Sequence, residues 1–130
     1  MQISLIAALL TGVASLVLGF IWYGPLFAKA WSKEVGLSEA EMKGAGIGYL
    51  IAFASSTFLG GVTSFLVNMI GITAVMDGAA LGLLLAAGYV ATTFATNYIF
   101  AKKSIHLFLI DAGYQTILVV IAGVIAALIR

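Results

Sequence analysis

Residues 105–128, IHLFLIDAGYQTILVVIAGVIAAL, decide the fold. Crossing a hydrocarbon core of about 30 Å takes roughly 20 apolar residues in a helix. This stretch has that length, with one carboxylate, Asp111, inside it. Its apolar residues do not alternate with period two, which speaks against a strand. In lipid only helices and closed barrels satisfy every backbone group, so the stretch reads as a transmembrane helix. Three more such stretches precede it, at about 3–23, 45–70 and 76–100. The composition agrees: 63% of the residues are hydrophobic and 8% are charged, and the mean hydropathy is +1.19. The expectation is a single transmembrane domain over residues 1–130, an all-α integral membrane four-helix bundle.

The absence of cysteine excludes disulfides, thiolate ligation and cysteine nucleophiles. A net charge of +1 gives no case for nucleic acid. The basic residues set orientation instead. Lys29, Lys33 and Lys43 fall between the first and second stretches, and Lys102 and Lys103 between the third and fourth. Those two loops share a side, and only Arg130 and the amino terminus oppose them. The expected placement is a bacterial cytoplasmic (inner) membrane, with both basic loops in the cytoplasm and both termini outside. Ala28-Lys29-Ala30 looks like a signal-peptide cleavage site. No basic residue precedes the first apolar run, however, and that run exceeds the usual core of about 7–15 residues, so it is expected to remain a helix.

The first stretch ends in Ile21-Trp22-Tyr23-Gly24-Pro25. Trp22 and Tyr23 suit the headgroup level, where an apolar ring with a polar edge is well placed. Gly24-Pro25 is expected to end the helix, because proline lacks a donor and restricts the residue before it. Phe27 and Trp31 follow one helical turn apart, beside Lys29 and Lys33, and predict a short amphipathic segment at the interface. Ser38-Glu39-Ala40-Glu41 reads as a capping box leading into the second helix.

Small residues recur at helical spacing. Ala52, Ser56, Gly60, Ser64 and Asn68 stand four apart in the second stretch; Ala8 and Gly12 lie in the first, and Ala74, Gly78, Gly82 and Ala86 open the third. Such stripes allow close backbone approach, the usual basis of helix packing in lipid. Asp77 falls at the start of the third helix, where a carboxylate favours the positive helix end and faces water.

A carboxylate inside an apolar span is the natural place to look for function. Tyr114 and Gln115 lie three and four residues beyond Asp111, on the same helix face. Folding the third and fourth stretches into a hairpin about Lys102-Lys103 brings Asp111 level with Thr93 and Asn97, and Ser56 reaches a similar depth. The candidate intramembrane polar site is therefore Asp111, Tyr114, Gln115, Asn97, Thr93 and Ser56. Asp111 reads either as a structural acceptor joining helices or as a proton- or cation-binding group. No catalytic or metal-ligating pattern is formed by His106, Asp111 and Tyr114, and no cofactor is implied.

The run Leu18-Gly19-Phe20-Ile21-Trp22-Tyr23-Gly24-Pro25-Leu26-Phe27, followed by Trp31 and Gly36-Leu37, resembles a family of small four-helix membrane proteins known as domain of unknown function 1761. Gly88-Tyr89-Val90-Ala91-Thr92-Thr93 and Phe108-Leu109-Ile110-Asp111-Ala112-Gly113-Tyr114 extend the likeness over nearly the whole chain. The resemblance implies asparagine as the common residue at the position of Asp111, and histidine at that of Gln115. A carboxylate mechanism would then not be general, which favours the hydrogen-bonding role of Asp111. The resemblance brings no substrate, reaction or cofactor.

The expected function is that of a structural or accessory membrane protein, forming a homo-oligomer in the bilayer. The alternatives are a small-molecule, proton or ion transporter using a polar face on the second to fourth helices, and a membrane-embedded enzyme or a protein binding a lipid, quinone or other small molecule.

Overall fold

Backbone groups in lipid must bond to one another. The computed structural model meets that demand with helices, and it describes residues 2–36 and 46–130. Helix α1, Leu5–Ile21, continues through a π-helical turn, Trp22–Leu26, and is followed by the short helix α2, Ala28–Val35. Helix α3 is Gly46–Ile70. Helix α4, Val75–Leu85, passes through a second π-helical stretch, Ala86–Ala91, into α5, Thr92–Phe100; α6 is Ile105–Leu128. Among the described residues four spans are long and apolar enough to cross a membrane: Leu5–Leu26, Gly46–Ile70, Val75–Phe100 and Ile105–Leu128. They are the four expected from the sequence, and α2 is the expected amphipathic segment. The capping box at Ser38–Glu41 and the lysine at Lys43 lie outside the described residues.

The helix ends follow local chemistry. The Ser4 hydroxyl accepts from the Ala7 N–H at 3.1 Å, and the Ser4 N–H donates to Ser64 Oγ at 2.9 Å. One serine thereby caps α1 and ties it to the far end of α3. Ser104 caps α6 in the same way, accepting from the Leu107 N–H at 3.1 Å. Asp77 lies exposed in the first turn of α4, where its charge complements the helix dipole without a capping bond.

The first helix does not end at Gly24-Pro25. Pro25 has no N–H for the Ile21 carbonyl four residues back, and the chain responds by widening the turn. The Phe27 N–H donates to the Trp22 carbonyl, five residues back, at 3.0 Å. The helix breaks only at Phe27, where φ is −126°. Expecting a stop at proline overlooked this wider turn, which removes the need for the missing donor.

The bundle is assembled from two close pairs, α1 against α3 and α4 against α6, with α6 also packed on α1 and α3. Small residues carry both pairs. Ala8, Gly12, Ser56, Gly60 and Ser64 are buried between α1 and α3, whereas Ala52, at the other end of the stripe, is exposed. A β-carbon built at Gly60 would stand 2.5 Å from Thr11 Cβ. Between α4 and α6, β-carbons at Gly78 or Gly123 would each run into the other residue's carbonyl. By contrast α5 makes few contacts with α6. The π-helical stretch before it sets the helix back by one residue, about 100° of rotation, so the small-residue stripe of α4 does not continue along α5.

Candidate functional site

Asp111 sits two turns into α6, half-buried. The Tyr23 hydroxyl donates to its Oδ1 at 2.7 Å, and the Tyr98 hydroxyl donates to its Oδ2 at 2.5 Å. Tyr23 comes from the π turn that ends the first span and Tyr98 from the end of the third. Both oxygens are thus engaged, and three spans meet at one carboxylate.

Two further bonds fix the same region. The Trp22 indole N–H donates to the Ile110 carbonyl at 2.9 Å, and the Tyr114 hydroxyl donates to the Ser15 carbonyl at 2.8 Å. Trp22 can approach α6 because residue 113 is glycine: a β-carbon there would lie 3.1 Å from the indole ring. Aromatic rings enclose the cluster. The Tyr23 ring is 5.3 Å from that of Tyr114 and 5.7 Å, edge-on, from that of Trp31, so α2 folds back over it. Phe27 packs on Trp22 at 4.8 Å. Tyr98 stacks on Phe94 at 5.5 Å, and the Lys103 ammonium stands 4.7 Å from the Tyr98 ring centre. A cation over the ring that donates to Asp111 is a favourable arrangement of charge.

The sequence-derived candidates separate in space. Asp111 and Tyr114 do lie in one cluster, although Tyr114 bonds α1 and not Asp111. Thr93 and Asn97 do not join it: both are exposed, and the Thr93 hydroxyl bonds back to the Tyr89 carbonyl at 2.6 Å. Gln115 is half-buried and Ser56 is buried in α3, and neither bonds Asp111. Trp22, Tyr23, Phe27 and Trp31 gather around α6, and the exposed Pro25 sets the π turn that aims the first two inward. Reading Trp22 and Tyr23 only as headgroup anchors missed their polar edges, which bond α6. Tyr98 was also missed. It stands next to Asn97 at the right depth, but its direction follows from the rotation introduced at Ala86–Ala91.

Among the described residues no group of His, Asp or Glu could hold a metal ion. The arrangement is instead suited to joining spans through buried hydrogen bonds.

Residues 6–127 match the profile of a family described as protein of unknown function (DUF1761). The chain belongs to this family. No curated protein and no solved structure matches the chain. The DUF1761 match takes in Trp22, Tyr23, Tyr98, Asp111 and Tyr114, so the whole hydrogen-bonded cluster falls within the family region.

The two tyrosines give a prediction. Tyr98→Phe and Tyr23→Phe each leave one Asp111 oxygen without its donor, at an expected cost of about 1 kcal/mol each. The double variant leaves the carboxylate with neither donor and is expected to cost more than the sum. Unfolding of the purified protein in detergent, read as a double-mutant cycle, checks this; strict additivity would argue against a shared carboxylate.

Proposed function

We propose that this DUF1761 member is an integral membrane protein of structural or accessory role that assembles with copies of itself. The observation carrying this reading is the exposed polar face of α5 and the π-helical stretch before it. Tyr89, Thr92, Thr93, Thr96 and Asn97 are all exposed, yet they lie in a span apolar enough to cross a membrane. The threonine hydroxyls bond back to their own helix. The Tyr89 hydroxyl and the Asn97 amide make no hydrogen bond among the described residues. Lipid tails offer them no partner, whereas polar groups meeting across helices are a recognised source of association. A second copy presenting the same face supplies those partners. Asp111 supports the structural part of the reading, because a carboxylate held at both oxygens acts as a joint between spans.

The lysines support an orientation. Lys29 and Lys33 on α2, and Lys102 and Lys103 in the turn before α6, gather at the end of the bundle where α2 meets α6. By the bias of basic residues toward the cytoplasm, this end faces inward and both termini face out, as in a bacterial inner membrane.

The chain has no cysteine, so single labels are easily placed. Thr96→Cys is expected to give cross-linked dimers in membranes treated with a short bismaleimide. Val17→Cys, exposed on the apolar side of α1, is expected to give none. Monomer alone from Thr96→Cys would overturn the assembly.

A further inference from the structure

A groove of about 390 Å³ runs between α2 and the start of α6, beside the Trp22–Ile110 bond and not lined by Asp111 or its two tyrosines. That size lies within the range of small-ligand sites. Phe27, Lys33 and Glu34 line it from the α2 side, and His106, Leu109 and Ile110 from α6. Ala30 also lines it, so on the α2 side residues 27, 30, 33 and 34, and on α6 residues 106, 109 and 110, recur at spacings of three and four and each presents one face.

The lining is mixed. His106 stands in the first turn of α6, while Leu109 and Ile110 lie about one turn further into the span. Phe27 is at the start of α2, and Lys33 and Glu34 are near its end. The lining therefore combines charged and polar side chains, Lys33, Glu34 and His106, with apolar ones, Phe27, Ala30, Leu109 and Ile110. The charged lining carries both signs, an ammonium from Lys33 and a carboxylate from Glu34. Neither side chain makes an ion pair among the described residues.

We propose that this groove is a binding site for a zwitterionic phospholipid bearing a primary ammonium, of the phosphatidylethanolamine type. The lipid phosphate meets Lys33 and His106, both hydrogen-bond donors. The headgroup ammonium donates to the Glu34 carboxylate, and the upper acyl chains lie on Phe27, Leu109 and Ile110. A purely anionic headgroup would pair with Lys33 but set negative charge against Glu34. A trimethylated headgroup could not donate to Glu34 at all. The proposal rests on the reading of the chain as a membrane protein.

The test uses the full chain in nanodiscs of equal parts phosphatidylethanolamine, phosphatidylcholine and phosphatidylglycerol, with retained lipid read by native mass spectrometry. Phosphatidylethanolamine is expected to be enriched about threefold over the other two, the scale of one exposed ion pair. Glu34→Gln is expected to abolish the preference over phosphatidylglycerol, and Lys33→Gln to lower retention of both. Asp77→Asn, remote from the groove, should change nothing. Excess soluble phosphoethanolamine should leave the lipid in place; displacement by it would assign the site to a free phosphate ester and overturn the lipid assignment. Equal retention of the three lipids, or an unchanged preference in Glu34→Gln, overturns the headgroup proposal and leaves the membrane reading standing. Failure of the protein to enter the discs overturns both.

Discussion

Gly123→Ala is expected to destabilise the protein by about 1–3 kcal/mol, the usual range for overpacking a tight contact. At this position α6 meets α4 backbone to backbone. The added methyl group would run into the Gly78 carbonyl and come within 3.4 Å of the Gly82 nitrogen. Neither atom belongs to a flexible side chain, so the helices themselves must separate. That separation would weaken the α4–α6 pair along its length, because Gly82 packs in the same way on the Val119 carbonyl. The matched control is Gly61→Ala in α3. There a β-carbon finds ordinary contacts, 3.6 Å to Ile3 and 3.8 Å to Ala8, and the change is expected to stay within about 0.5 kcal/mol. Thermal unfolding in a mild detergent compares the two, and a Gly123→Ala protein as stable as the parent would contradict the close approach.

Asp111→Leu is expected to cost about 2–3 kcal/mol, by leaving the hydroxyls of Tyr23 and Tyr98 without an acceptor. Asp111→Asn should cost about 1 kcal/mol or less, because the amide can replace both bonds. Its oxygen accepts from one tyrosine, and its NH₂ donates to the other once that hydroxyl turns. The pair of variants separates the two roles of Asp111. A joint between spans predicts that Asn preserves stability and assembly while Leu loses stability. A proton or cation carrier predicts that Asn abolishes flux into proteoliposomes. Flux dependent on the carboxylate, with assembly intact in Asp111→Asn, would sink the structural reading.

The carboxylate was legible in the sequence, but not its partners. Asp111 stood out because a carboxylate in an apolar span carries a large solvation cost. Its neighbours on the same helix, Tyr114 and Gln115, followed from helical spacing. The choice of Thr93 and Asn97 over Tyr98 came from treating the third span as a uniform α-helix. The π-helical stretch at Ala86–Ala91 turns the lower half, carrying Tyr98 to α6 and leaving Thr93 and Asn97 exposed. At the other end of the cluster, Trp22-Tyr23-Gly24-Pro25 looked like a helix stop in the headgroup layer. The π turn around Pro25 instead keeps the chain helical and points both rings at α6.

The sequence by itself determined four spans and the packing role of its small residues. Each of these follows from local rules: a span needs enough apolar length, and a close contact needs a missing side chain. The tertiary structure alone decided that Asp111 is held by Tyr23 and Tyr98, and that the polar face of α5 is left outward. Those outcomes depend on the rotation of one helix against another. A single extra residue in a turn changes that rotation by about 100° without altering composition or span length.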